Sequence, residues 1–153
     1  MKVALGCDHA GRPLMAHLKP WLEAQGHTCI DHGAYDDRPS DYPDYARVVA
    51  ESVARGEVDT GVLLCGTGIG MSLAANKVRG AYAAVCHDEY SAAMARAHTH
   101  ANILTMGARV VGPGLALSIL AVWLRTGFDQ AERHVRRTQK VRDIEAGCLA
   151  KES

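Results

Sequence analysis

Cys65 stands where a thiol can serve as a base. Val62-Leu63-Leu64-Cys65 reads as the end of a buried strand, Gly66-Thr67-Gly68-Ile69-Gly70 as a glycine-rich turn, and Met71 as an early residue of a helix. A row of backbone N–H groups at a helix N-terminus favours negative charge, both on a thiolate and on a bound oxyanion. Gly66 to Gly70 thus form a candidate anion cradle beside a candidate base. The Thr67 hydroxyl can reach the sulfur or cap the turn. Arg133 and Arg137 are spaced i, i+4 and project from one helix face, a good fork for a phosphate. Asp8 and His9 follow the first apolar run, Arg109 follows another, and His98 lies near the end of a helical pattern. The same residues also have plain structural uses: Cys65 as a small buried hydrophobe, Asp8 as a backbone cap, Arg109 as a surface charge.

The elements that must position these groups alternate along the chain. Apolar runs at Lys2–Gly6, His27–Asp31, Gly61–Cys65, Tyr82–Cys86 and Asn102–Met106 predict five strands. Between them lie helical patterns, the first with Leu14, Leu18, Trp21 and Leu22 on one face. Pro20 falls inside that pattern and should kink or shorten it. Helices are expected at Tyr45–Arg55, closed by Gly56, near Met71–Val78, over Asp88–Arg96, and after Gly112-Pro113-Gly114 with Ala116, Ile119, Leu120, Trp123 and Leu124 on the apolar face. This alternation predicts an α/β fold, a Rossmann-like three-layer sandwich with a five-stranded parallel sheet and a C-terminal helix. Ligands of such sheets bind outside the carboxyl ends of the strands. That final helix, within 129–147, is rich in arginine, and its larger apolar residues are Val135, Val141 and Ile144.

Bulk properties narrow the class. The 153 residues suit one domain, 1–153, and 48% hydrophobic with 22% charged residues is the balance of a globular chain. Seventeen basic residues offset seventeen acidic ones, so neither nucleic acid nor a membrane surface is an expected partner. Five cysteines without a CxxC pair, and no signal peptide, point to the reducing cytoplasm. His98-Thr99-His100 has no third ligand at suitable spacing, so no metal is expected. The glycine turn with Asp88 about twenty residues on also resembles a dinucleotide unit, but the third glycine of that pattern would fall at Met71. A nucleotide-binding module therefore stays as a minor alternative.

The chain resembles the ribose-5-phosphate isomerase B family, which also contains galactose-6-phosphate isomerase. The similarity runs over nearly the whole chain. It is carried by Gly6-Cys7-Asp8-His9-Ala10-Gly11, Asp41-Tyr42-Pro43, Cys65-Gly66-Thr67-Gly68-Ile69-Gly70 and Ala74-Ala75-Asn76-Lys77. His98, Asn102, Gly107-Ala108-Arg109-Val110-Val111-Gly112, Arg133 and Arg137 complete it. The resemblance implies cofactor-free interconversion of an aldose phosphate and its ketose phosphate. By that likeness Cys65 moves the proton between C1 and C2, with Thr67 hydrogen-bonded to it. His98 opens the furanose ring and Asp8 binds the sugar near the ring oxygen. The amides of Gly66, Gly68, Ile69 and Gly70 hold an enediolate, while His9, Arg109, Arg133 and Arg137 surround the phosphate. The site lies between two subunits of a homodimer or a larger tetramer, and the basic C-terminal helix meets the partner. One departure stands out. Family members usually carry asparagine after the ring-opening histidine, and here Thr99 follows His98, shorter and without an amide. Ribose 5-phosphate is the expected substrate, and another sugar phosphate (a tetrose, another pentose or a hexose) is the alternative.

Overall fold

The computed structural model describes residues 1–147; Cys148 and the remainder of the expected 1–153 domain lie outside the described residues. The elements run β1 (Lys2–Cys7), α1 (Arg12–Ala24), β2 (Thr28–Asp31), α2 (Tyr42–Ala54), β3 (Thr60–Cys65) and α3 (Ile69–Ala75). They continue with β4 (Ala83–Val85), α4 (Glu89–Thr99), β5 (Ile103–Gly107), α5 (Pro113–Arg125) and α6 (Glu132–Glu145). The five strands pair in parallel in the order β2-β1-β3-β5-β4. This is the three-layer α/β sandwich with a C-terminal helix that the alternation predicts.

Side chains alternate along each strand and feed two cores. Val3, Leu5, Val62, Leu64, Leu104 and Met106 face α1, α4 and α5, where Leu18, Ala92, Ile119 and Trp123 meet them. Ala4, Leu63, Cys65 and Ile103 face α2 and α3, against Val49, Met71 and Ala75. Both faces are covered, so β3 is buried at every position, as the unbroken apolar run requires. The buried Trp123 Nε1 donates to Thr60 Oγ1 at 2.9 Å, which ties α5 to the start of β3 and leaves no orphan indole N–H.

Several boundaries differ from expectation for local reasons. Pro20 neither ends nor shortens α1, which runs on to Ala24. The carbonyl it leaves without a donor belongs to Ala16, an exposed residue whose backbone water can reach. Helix α2 begins at Tyr42 rather than Tyr45, because Pro43 fits the first turn, where no N–H is needed. Helix α3 starts earlier, at Ile69, and β4 is shortened to Ala83–Val85. In α6, Val135, Val141 and Ile144 are exposed, while His134 and Thr138 are buried. Its inward face is polar.

Candidate active site

Strand order reverses at β1, which lies between β2 and β3, and the crevice above such a reversal is where open parallel sheets bind ligands. The carboxyl ends of β1 and β3 place Asp8, His9 and Cys65 around it. Asp8 is buried; its Oδ1 accepts the N–H of Gly11 at 3.0 Å, so the capping use is real. His9 is locked to the 33–44 loop from both sides. Its N–H donates to Ser40 Oγ and its Nδ1 accepts the Ser40 N–H, each at 3.2 Å.

Cys65 Sγ accepts the backbone N–H of Gly68 at 3.1 Å, so the sulfur faces a hydrogen-bond donor. Thr67 is not the sulfur's partner. Its Oγ1 accepts the N–H of Ile69 at 3.4 Å, so the hydroxyl serves the turn, and the thiol interaction falls to a backbone amide instead. Gly68 has φ +78°, and a Cβ there would lie 2.9 Å from the Met106 carbonyl carbon. Only glycine allows the loop to press that closely on β5. At Gly66 an added Cβ would lie 3.3 Å from Arg109 Nη1, so the guanidinium stretches over the loop. Tyr42, a residue with no assigned role in the sequence reading, covers Gly70; a Cβ there would lie 2.8 Å from its ring. Cys65, the Gly66–Gly70 loop, Asp8, His9 and Arg109 thus form one group.

His98 belongs to a different group. In the parallel register Gly61 lies beside Ile103 and Cys65 beside Gly107. Helix α4 runs back across the sheet and delivers His98 and Thr99 to the Gly61 end. Four residues of strand alone separate the two ends by about 13 Å. His98, Thr99, His134 and Arg137 line a cleft of about 270 Å³ there, which Cys65 does not touch. Arg133, on the same helix, lies 3.9 Å from Asp129. Thr99 Oγ1 donates back to the Ala95 carbonyl at 2.6 Å. His100 turns away with φ 55° and stacks on Phe128.

Two members of this second group, His134 and Asp129, were not singled out from sequence. The His98 and His134 rings stack with centroids 4.2 Å apart and planes within 8°. His134 Nε2 lies 3.4 Å from Asp129 Oδ2. Burial, the neighbouring His98 and the Arg133 guanidinium push the His134 imidazole below its ordinary range, against Asp129, which pulls it up. His98, Asp129 and His134 have ligating atoms within 4.8 Å of one another. Imidazole lone pairs lie in the ring plane, however, and two nearly parallel rings do not aim at a common ion. Asp88, the acid of the dinucleotide alternative, is committed to capping α4, accepting the Ser91 N–H at 2.7 Å.

A family model described as Ribose/Galactose Isomerase matches residues 3–141. The chain belongs to the Ribose/Galactose Isomerase family, and so to the sugar-phosphate isomerases. A putative sugar phosphate isomerase of Bacillus subtilis is 49% identical over 95% of this chain and 97% of its own length. The solved ribose-5-phosphate isomerase B of Clostridium thermocellum superposes with a TM-score of 0.94 at 46% identity, over 97% of this chain and 100% of that one. A D-erythrulose-4-phosphate isomerase of Pectobacterium atrosepticum is 42% identical over 84% of this chain and 86% of its own. Members of the Ribose/Galactose Isomerase family at similar distance thus carry different substrate names. No helix among the described residues is long and apolar enough to cross a membrane.

Proposed function

We propose that the protein interconverts ribose 5-phosphate and ribulose 5-phosphate through a cis-enediolate, in a site completed by a second copy of the chain. The supporting observation is the division of the polar groups. A base with an anion cradle sits at one end of the sheet, and an acid/base histidine with arginines sits at the other. Each half alone lacks something the reaction needs; joined across a two-fold interface they are complete.

In this reading Cys65 removes the proton from C2 of the open aldose and returns it at C1. Negative charge grows on the substrate oxygens, and the loop amides of Gly66 and Gly70 face it, while those of Gly68 and Ile69 hold Cys65 Sγ and Thr67 Oγ1. A single such donor is worth about 3 kcal/mol in the transition state. Thr67 acts by holding the loop through Ile69. Asp8 contacts the sugar near its ring oxygen, and His98 of the second copy protonates that oxygen to open the furanose. His9 and Arg109 from one copy, with Arg133 and Arg137 from the other, hold the phosphate away from the reacting carbons. Such anchoring lets binding energy orient the chemistry. No cofactor takes part in these steps, and the cytoplasm is the matching compartment.

One observation favours a second reading. The Thr99 hydroxyl spends its proton on Ala95, so the residue after His98 offers the sugar no donor. A site without that donor suits a smaller or differently substituted sugar phosphate. A panel of tetrose, pentose and hexose aldose phosphates, assayed for ketose formation, tests both. Ribose 5-phosphate should give the highest kcat/KM, and Cys65→Ala should lower kcat by about 10²- to 10⁴-fold. A better tetrose or hexose transfers the mechanism to that substrate. Full activity in Cys65→Ala overturns the mechanism; turnover of no sugar phosphate, with tight binding of a nucleotide, overturns the isomerase reading.

A further inference from the structure

We infer that His134 is a positioning residue: it fixes the ring of His98 so that this histidine can open the sugar ring. The inference rests on the reading of His98 given above. His98 sits in the last turn of α4, half-exposed, and an imidazole there turns about two side-chain bonds. Proton delivery to a ring oxygen requires one orientation.

The structure supplies a rigid backing for it. His134 is 3% exposed, and its ring lies flat against His98. Asp129 holds the pair in register through three contacts. Its N–H donates to the carbonyl of Ala97, the residue before His98, at 2.9 Å. Its Oδ1 accepts the Ala131 N–H at 2.9 Å, which shapes the entry to α6. Its Oδ2 faces His134 Nε2, a buried nitrogen that makes no well-formed hydrogen bond. Ala97, Asp129, His134 and His98 therefore close a small ring joining α4 to α6.

The charges around His134 suit the same role. It meets His98 from α4, Asp129 from the connecting loop, and Arg133 and Arg137 from its own helix. Burial and the cations push the His134 imidazole toward its neutral form. Two imidazolium rings at 4.2 Å would repel each other strongly away from bulk water.

Steady-state kinetics on the full-length protein test this with His134→Leu, which keeps volume but not a flat ring, and His134→Phe, which keeps the ring. On ribose 5-phosphate, His134→Leu should lower kcat about 10- to 100-fold with KM within twofold, and His134→Phe should recover most of that loss. Erythrose 4-phosphate has no hydroxyl free to close a furanose, so its turnover should stay within twofold in both variants. Equal rates in His134→Leu and wild type overturn the inference. So does an equal loss on both sugars, or a raised KM in both variants, which would make His134 a phosphate contact. His98→Ala separates the two levels. If it slows both sugars alike, the ring-opening reading itself falls. If it slows ribose 5-phosphate selectively while His134→Leu does not, only the positioning role falls.

Discussion

Cys7, Cys65 and Cys86 all lie buried at or just beyond the carboxyl ends of strands, yet their sulfurs meet opposite partners. Cys65 Sγ accepts an amide N–H. Cys7 and Cys86 point their S–H at carbonyl oxygens of Ala34 and Ala84, at 3.9 and 3.8 Å. A carbonyl rewards the protonated thiol, whereas Cys65 faces a donor, so backbone polarity sets the candidate base apart from its two neighbours. Burial pushes the Cys7 and Cys86 thiols from 9.0 up to about 11. Between those values the unfolded chain has lost protons that the folded chain still binds, so stability falls as pH rises. Urea midpoints should therefore hold steady up to pH 9 as far as these thiols are concerned and decline from pH 9 to 11. A Cys7→Ala, Cys86→Ala double variant should show a shallower decline; an identical slope would contradict this account. The glycine loop was legible in sequence as a turn opening a helix, although that helix starts at Ile69 rather than near Met71. The thiol's actual partner was not legible, because Thr67 and the Gly68 amide both lie within three residues of Cys65 and only the backbone path decides between them.

Elements rather than residues determine which groups share a site, and Thr60 shows how they are held. Its Oγ1 accepts from the Trp123 indole and donates to the Asn102 carbonyl at 2.8 Å, so one hydroxyl joins β3, α5 and the approach to β5. Thr60→Val keeps the volume but strands a buried indole N–H, while the Asn102 carbonyl keeps the Gly61 N–H at 3.0 Å. The expected loss is about 1–3 kcal/mol in urea unfolding, and a change within experimental error would show that water replaces the hydroxyl. The periodicities of α1 and α5 were plain in sequence because their buried faces are apolar, and α1 kept its pattern even through Pro20. The inward face of helix α6 could not be read from the sequence: its buried positions are His134 and Thr138, spaced i, i+4 and polar, and hydrophobic periodicity is blind to such a face. The histidine stack went unseen for the same reason.

At the scale of the whole molecule, parallel strands impose a separation that no side-chain choice can remove. A residue after β3 and a residue at the end of α4 lie at opposite ends of the parallel strands. Each end also carries exposed apolar side chains: Ile69 and Leu73 on α3, at 54% and 61% exposure, and Val141 and Ile144 on α6, at 52% and 64%. Those of α6 are two of its three larger apolar residues, and a second copy of the chain would give them a partner. If two copies share their sites, each site draws Cys65 from one chain and His98 from the other. Cys65→Ala and His98→Ala dimers should then each be nearly inactive. After equimolar mixing with subunit exchange, half the dimers are mixed, and each holds one site with both wild-type residues and one with neither. Activity should return to about one quarter of wild type, measured per subunit on ribose 5-phosphate. A site built within one chain would regain nothing on mixing, since every chain in the mixture carries a defect.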